Sequence, residues 1–174
     1  QCKGIGEAII DYDFVVGCQN PISSTAIIEL DSELNQNFGM QYLNTYSIGF
    51  NKLLPLDNDE LLWINTVTDG TQINWINGSD RTIIHRTKIS EIAIKILQHS
   101  GTEFSLITKN KKIISISINT ATKAITVTDT KVVSDASVTE ITDAIVTNGT
   151  ILMSLKLADE KFGIAQINGT SLKI

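Results

Sequence analysis

The sequence predicts an all-β protein made of four repeats of about 45 residues, each folding as a four-stranded antiparallel sheet. Two series of strand positions recur in step along the 174 residues. The first marks equivalent strand positions at intervals of 46, 43 and 47 residues, at Val15, Leu61, Phe104 and Ile151. The second marks the polar ends of the following strands, at intervals of 46, 42 and 49 residues, at Asp31, Asn77, Asn119 and Asn168. Two landmarks in step over four units indicate a structural repeat.

Within the units, apolar side chains alternate with a period of two. Ile114, Ile116 and Ile118 are separated by serines, and a second alternating series is formed by Ile151, Met153 and Leu155. This period places one set of side chains on one face of a sheet, which we expect to be buried. The richness in Ile, Val and Thr also favours strands, so we expect almost no helix.

The four units cover approximately residues 3–46, 47–88, 89–137 and 138–174 of a single domain. The third unit shows the expected plan most clearly. Its four strands are predicted over residues 91–97, 102–108, 112–118 and 123–128, with residues 131–137 as the connection to the fourth unit.

Composition excludes several classes of protein. Hydrophobic residues make up 42% of the chain, which is enough to bury a core. The longest apolar runs are only a few residues, well below the roughly 20 needed to cross a bilayer as a helix. The formal net charge is −5, and the densest basic group is only Lys109, Lys111 and Lys112. Nucleic-acid binders gather basic residues on one face, so we expect no nucleic-acid partner.

The two cysteines, Cys2 and Cys18, lie close to the start of the chain. A disulfide between them would close a loop of about 15 residues and contribute about 3 kcal/mol in the chain-entropy model. The chain begins with Gln1, which suits a processed protein or a segment of a longer one. We favour the disulfide, and two free thiols in a reducing compartment remain the alternative.

Three Asn-Gly-Ser/Thr sequences are candidate glycosylation sites, at Asn77, Asn148 and Asn168. Asn-Gly followed by a small polar residue is also typical of a tight turn, because both residues tolerate positive φ. We interpret the three sites as turns first and glycan acceptors second. Together with the cysteines they favour an extracellular or cell-surface protein.

No catalytic, cofactor or metal site is predicted. The two histidines, His85 and His99, have no partner at ligand spacing. Carboxylates cluster at residues 11–13 and 57–60, where turn formation is the simpler interpretation and calcium binding at 57–60 is the alternative. The two tryptophans, Trp63 and Trp75, lie on consecutive strands, where a core position is the simpler interpretation and stacking on a sugar is the alternative.

The segment LLWINTVTDGTQINWING, residues 61–78, resembles a β-propeller blade of the TolB-like and WD-repeat-like kind. It has an inner strand, a Thr-Asp-Gly-Thr turn and a next strand ending in Asn-Gly. The Gly-His and Trp-Asp pairs of true WD repeats are missing. The resemblance implies either a small ring of four blades or part of a larger ring. The alternative fold is a β-sandwich that lends an N-terminal strand, residues 3–12, to a neighbour.

These features predict a non-enzymatic extracellular or cell-surface module that binds protein partners or glycan, or assembles with itself. A fragment of a secreted glycan-acting enzyme is the alternative, with Asp11, Asp57 and Asp143 as the carboxylates to bring together. An intracellular scaffold is a third interpretation, which the state of the cysteines would decide.

Overall fold

The structure is a computed structural model of the chain. It describes the backbone of residues 2–6, 14–19, 24–30, 36–43, 51–56, 60–77, 79–80, 82–168 and 171–173. Side chains are described between residues 52 and 167, except at 57–59, 78 and 81.

The described backbone forms sixteen strands in four antiparallel sheets, each containing four strands in chain order. The first sheet contains β1 (Cys2–Gly6), β2 (Phe14–Gln19), β3 (Ser24–Leu30) and β4 (Gln36–Leu43). The second contains β5 (Asn51–Pro55), β6 (Leu61–Val67), β7 (Gly70–Ile76) and β8 (Ile83–Ile89). The third contains β9 (Ala93–Gln98), β10 (Glu103–Thr108), β11 (Lys112–Asn119) and β12 (Ala124–Val132). The fourth contains β13 (Val138–Thr147), β14 (Thr150–Leu157), β15 (Phe162–Asn168) and β16 (Ser171–Lys173).

The predicted fold class, antiparallel four-stranded repeats, is confirmed. The chain divides into two compact units, residues 1–92 and 93–174, with two sheets in each.

In the first unit, the central hairpin β6–β7 supplies most of the described core. Every residue of β6 is buried, so both faces of this strand are covered. Trp63 packs in a cluster with Leu53, Leu61 and Ile76. The turn between the two strands ends at Gly70, which pairs with Val67.

In the second unit, the third and fourth sheets share one core. Leu97, Ile107 and Ile113 from the third sheet join a cluster with Met153 and Leu155 of the fourth. The period of two is confirmed: the isoleucines of β11 and the series of Ile151, Met153 and Leu155 are buried, and the intervening serines of β11 are half-buried.

Two expectations differ from the structure. Strand β12 continues to Val132, although the sequence suggested a connection from residue 131; the extension forms because Lys131 pairs with Ile113 and Val132 with Lys112. The strand-lending sandwich is also not observed, since β1 pairs with β2 inside the first sheet.

Candidate functional site

The fourth sheet carries an exposed apolar face. Three large side chains lie on it: Ile145 is 54% exposed, Phe162 75% and Ile164 74%. The pairing of Ile145 with Leu152, and of Ser154 with Ile164, places these residues on one side of the sheet. The opposite side contributes the buried residues Met153, Leu155 and Ala165. This sheet therefore has one covered and one uncovered apolar face.

A groove of about 280 Å³ runs along the uncovered face. Its walls come from three adjacent strands, β13, β14 and β15, and its lining is mainly aliphatic. The lining residues are Asp143, Ala144, Ile145, Leu152, Met153, Ser154 and Ile164. Apolar surface of this kind, rimmed by a few polar groups, is typical of interaction sites.

One charged group borders the groove. The Asp143 carboxylate accepts a hydrogen bond from Lys95 Nζ and another, of 2.8 Å, from the backbone N–H of Ala144. These bonds, that to Lys95 most of all, lower the pKa of Asp143 below its ordinary value of 3.8. The carboxylate is therefore ionised at neutral pH and fixed at the rim.

A second, polar pocket of about 170 Å³ lies on the third sheet. His99 Nε2 lies 2.8 Å from the Oγ of Ser105, and the rest of the lining includes Glu103, Ser115 and Thr128. An imidazole beside a hydroxyl is the pair used in nucleophilic catalysis. Ser105 is only 1% exposed, however, so its hydroxyl is buried away from an incoming substrate.

The other histidine and the described carboxylate of the predicted clusters belong to the first unit. His85 lies on exposed β8, with Nε2 3.1 Å from Thr87 Oγ1. Glu60 is buried and accepts a hydrogen bond of 2.9 Å from Trp75 Nε1. The predicted carboxylates at residues 11, 13, 57 and 59 lie outside the described residues. Within the described part of the chain, no three His, Cys, Asp or Glu residues group as metal ligands would.

Other exposed aspartates also have lowered pKa values, each stabilised by a local hydrogen bond. A side-chain bond from Lys88 lowers the pKa of Asp69, and one from Lys131 lowers that of Asp129. The backbone N–H of Thr82 does the same for Asp80. Such carboxylates are acceptors and turn-forming groups, not proton donors at neutral pH.

The two tryptophans do not stack on a surface ligand. Both are fully buried, and the pairing of Trp63 with Asn74 and of Leu62 with Trp75 places the indoles on opposite faces of the second sheet. The suggestion that they stack on a sugar is therefore not supported. Sequence alone placed them on adjacent strands but did not show that the two residues occupy opposite phases of the pleat.

Next to Trp63, a buried polar network crosses the second sheet. Asn74 Nδ2 donates to Trp63 O at 3.1 Å and to Asn65 Oδ1 at 2.9 Å. Arg86 Nε donates to Asn74 Oδ1 at 2.7 Å. The amide of Asn74 on β7 thus bonds partners on both neighbouring strands, β6 and β8, which fixes the register of the three strands.

The candidate glycosylation sites form turns where they are described. Asn77 Oδ1 accepts hydrogen bonds from the N–H and the hydroxyl of Ser79. Asn148 and Gly149 have φ values of 48° and 72° and join β13 to β14. The side chain of Asn168 lies outside the described residues, and glycosylation at all three positions stays a prediction.

The cysteines occupy facing positions in the first sheet. Cys2 of β1 is the register partner of Cys18 in β2. Facing residues in antiparallel strands have Cα atoms about 4.5–5.5 Å apart, within the range that a disulfide bridges. Their side chains lie outside the described residues, so the bond itself stays a prediction.

The exposed apolar side chains on this face of the fourth sheet were not predicted from the sequence. Phe162 and Ile164 occupy one face of β15, while Ala165 and Ile167 occupy the other. The sequence pattern that could have indicated them is the presence of apolar residues at both odd and even positions of β15, because such a strand has an apolar side chain on each face of its sheet.

Comparison with solved structures gives the class of fold. The chain is similar to BamB from Moraxella catarrhalis, with 14% identity and a TM-score of 0.62 over 99% of this chain and 49% of that one. It is similar to BBS1N, solved in complex with ARL6DN, with 13% identity and a TM-score of 0.60 over 97% of this chain and 51% of that one. The Cps50 (Swd1) β-propeller domain of Myceliophteria thermophila matches with 12% identity and a TM-score of 0.51, over 100% and 72%.

These similarities place the chain among β-propeller-type folds, and the predicted resemblance is confirmed. The chain spans about half the length of the first two structures. No protein-family model and no curated protein matches it. In the part of the chain that the structure describes, no helix is long and apolar enough to cross a membrane.

Proposed function

We propose that this chain is a non-enzymatic extracellular or cell-surface module that binds protein through the exposed apolar face of its fourth sheet. The observation that carries the proposal is the groove flanked by Ile145 and Ile164, which exposes large aliphatic side chains on paired β-strands. Contiguous exposed apolar surface marks interaction sites in folded proteins.

The chemistry of the groove favours a protein over a glycan. Sugar sites use aromatic faces together with many hydrogen-bonding groups, and both tryptophans are in the core. The groove walls are aliphatic, with Asp143 and Ser154 as polar groups. A partner that presents aliphatic or aromatic side chains, with a polar rim, fits this surface.

The one described carboxylate of the predicted catalytic set is unsuited to the general-acid role of a glycosidase. Glycosidases need one carboxylic acid whose pKa is raised so that it donates a proton near neutral pH. The pKa of Asp143, the one described member of the predicted catalytic set, is lowered by its bond to Lys95. This residue is suited to orienting a partner and unsuited to general acid catalysis.

An apolar fluorescent dye, anilinonaphthalene sulfonate, tests whether the groove accepts an apolar ligand. We expect saturable fluorescence enhancement with the wild-type chain and a large loss with Ile164→Lys, because the lysine places a charge in the groove. Ile84→Lys is the matched control, since Ile84 is an exposed isoleucine in the other compact unit. Equal dye binding by all three proteins would contradict the proposed surface.

The compartment is tested through the cysteines. If the protein is extracellular, unfolding without reductant should expose no reactive thiol, because Cys2 and Cys18 are bonded. Thiol labelling followed by intact-mass measurement gives the count. Two labelled thiols per chain would contradict the extracellular assignment and leave the binding surface unaffected.

A further inference from the structure

We propose that the second sheet binds an internal water molecule, which bridges the side chains of Asn65 and Gln72. The proposal is independent of the apolar groove and concerns the first compact unit. It rests on two buried polar atoms, Asn65 Nδ2 and Gln72 Oε1, which have no hydrogen-bond partner among the described residues. Buried polar groups of folded proteins are nearly always hydrogen-bonded, and ordered water is a common partner where protein groups do not suffice.

The two atoms belong to residues that face each other. Asn65 of β6 is the register partner of Gln72 in β7. Facing residues of antiparallel strands project from the same side of the sheet, with Cβ atoms about 4.5–5.5 Å apart. A water oxygen that lies about 2.7–3.2 Å from each of two polar atoms spans a separation of this kind. The register therefore brings both side chains within reach of one small ligand.

The neighbouring hydrogen bonds determine which atom of Asn65 is unpartnered. Arg86 Nε can only donate, so the atom of Asn74 that it contacts at 2.7 Å is the carbonyl oxygen. Asn74 then presents Nδ2 to Asn65 at 2.9 Å, and the accepting atom of Asn65 is Oδ1. The remaining polar atom of Asn65 is therefore a donor, and the network itself assigns the orientation of the amide.

The pair specifies the chemistry of the ligand. Asn65 Nδ2 requires an acceptor and Gln72 Oε1 requires a donor, and a water molecule supplies both from one oxygen atom. Asn65 is 0% exposed, and Oε1 of Gln72 is buried as well. A larger hydroxylated ligand would have to separate the packed side chains, so a closed polar site of this kind suits water. With water bound, one chain of hydrogen bonds runs from Arg86 on β8 through Asn74 and Asn65 to Gln72.

Crystallography and NMR spectroscopy of the whole chain test the site. We expect a crystal structure that shows ordered waters to contain one water oxygen about 2.7–3.2 Å from both Asn65 Nδ2 and Gln72 Oε1. In solution, the Nδ2 protons of Asn65 should give a cross-peak to water in rotating-frame spectra, with the sign of close contact and not of proton exchange. Gln72→Met removes the acceptor at similar side-chain length and should abolish this contact, because a buried water needs at least two polar partners. Gln98→Met, at an exposed position in the other compact unit, should leave it unchanged.

Three results would overturn the proposal. One is a direct hydrogen bond between Asn65 Nδ2 and Gln72 Oε1, which would satisfy both atoms without a water. Another is the lack of both the crystallographic water and the contact cross-peak in the wild-type chain, a result that does not depend on any variant being folded. The third is a contact cross-peak that survives Gln72→Met in a folded chain, since the water would then not bridge the two residues. Dye binding by the groove is unaffected by all three, so the proposed function is tested separately.

Discussion

Replacing Gly70 with alanine should destabilise the first unit, for a reason that the backbone alone supplies. The φ of Gly70 is 153°, and an added Cβ would lie 2.2 Å from the backbone oxygen of Ile89 and 3.2 Å from the Cα of Ser90. Both obstacles are main chain at the end of β8, so no side chain can rotate away. Strained φ costs roughly 1–3 kcal/mol, and overpacking typically costs another 1–3 kcal/mol. We expect the free energy of unfolding to fall by about 2–6 kcal/mol.

Urea unfolding followed by tryptophan fluorescence measures this loss, because both tryptophans are buried in the first unit. Gly101→Ala is the matched control: nothing lies within 4 Å of its added Cβ. Followed by circular dichroism, this change should be neutral or stabilise by about 0.4–1 kcal/mol, since it reduces the freedom of the unfolded chain. If Gly70→Ala lowered the free energy of unfolding no more than the control does, the described contact between the β6–β7 turn and the end of β8 would be contradicted.

Three further changes test packing and charge. Ile116→Ala should lower the free energy of chemical unfolding by about 2–5 kcal/mol, because the side chain is fully buried. Ser117→Ala should lower it far less. Equal losses would mean that the register of β11 is shifted by one residue. Asn74→Ala should cost about 1–3 kcal/mol by the same assay, since it leaves buried hydrogen-bonding groups unpaired, and a neutral result would contradict the network. Asp143→Asn should cost at most about 1 kcal/mol at neutral pH, as expected of an exposed ion pair. Because folding lowers the pKa of Asp143, that stabilisation is present above the ordinary value of 3.8 and is lost as the pH falls through the lowered value. The free energies of unfolding of wild type and variant should therefore converge in acid. A constant difference between them from pH 7 to pH 2 would refute this.

The sequence predicted the sheets well where the period of two is uninterrupted. Strand β11 alternates regularly through Ile114, Ile116 and Ile118, and its observed bounds differ from the predicted ones by a single residue. Strand β13 does not alternate: its buried residues are Val138, Ile141 and Ala144, three apart. Two bulges in its pairing with β14 produce this spacing, because each inserts an extra residue into the strand. Bulges depend on pairing between strands and leave no simple local pattern.

For the candidate site, the sequence could indicate that β15 has two apolar faces, but not which of the two is open to solvent. Periodicity indicates which residues share a face of a strand, but not whether another sheet covers that face. Ile114 and Ile164 both belong to alternating apolar series, yet Ile114 is buried and Ile164 is exposed. For Trp63 and Trp75 the sequence favoured a core position, and both side chains are fully buried.

The most direct test of the proposed binding surface is to measure which face of the fourth sheet is open to solvent. Hydroxyl-radical footprinting with mass spectrometry compares residues within one hairpin, β14–β15. The structure predicts rapid modification of Phe162 and Ile164 and protection of Met153, which is only 1% exposed, even though methionine sulfur is readily oxidised. Rapid oxidation of Met153 with protection of Phe162 and Ile164 would show that the opposite face is the open one and would contradict the proposed surface.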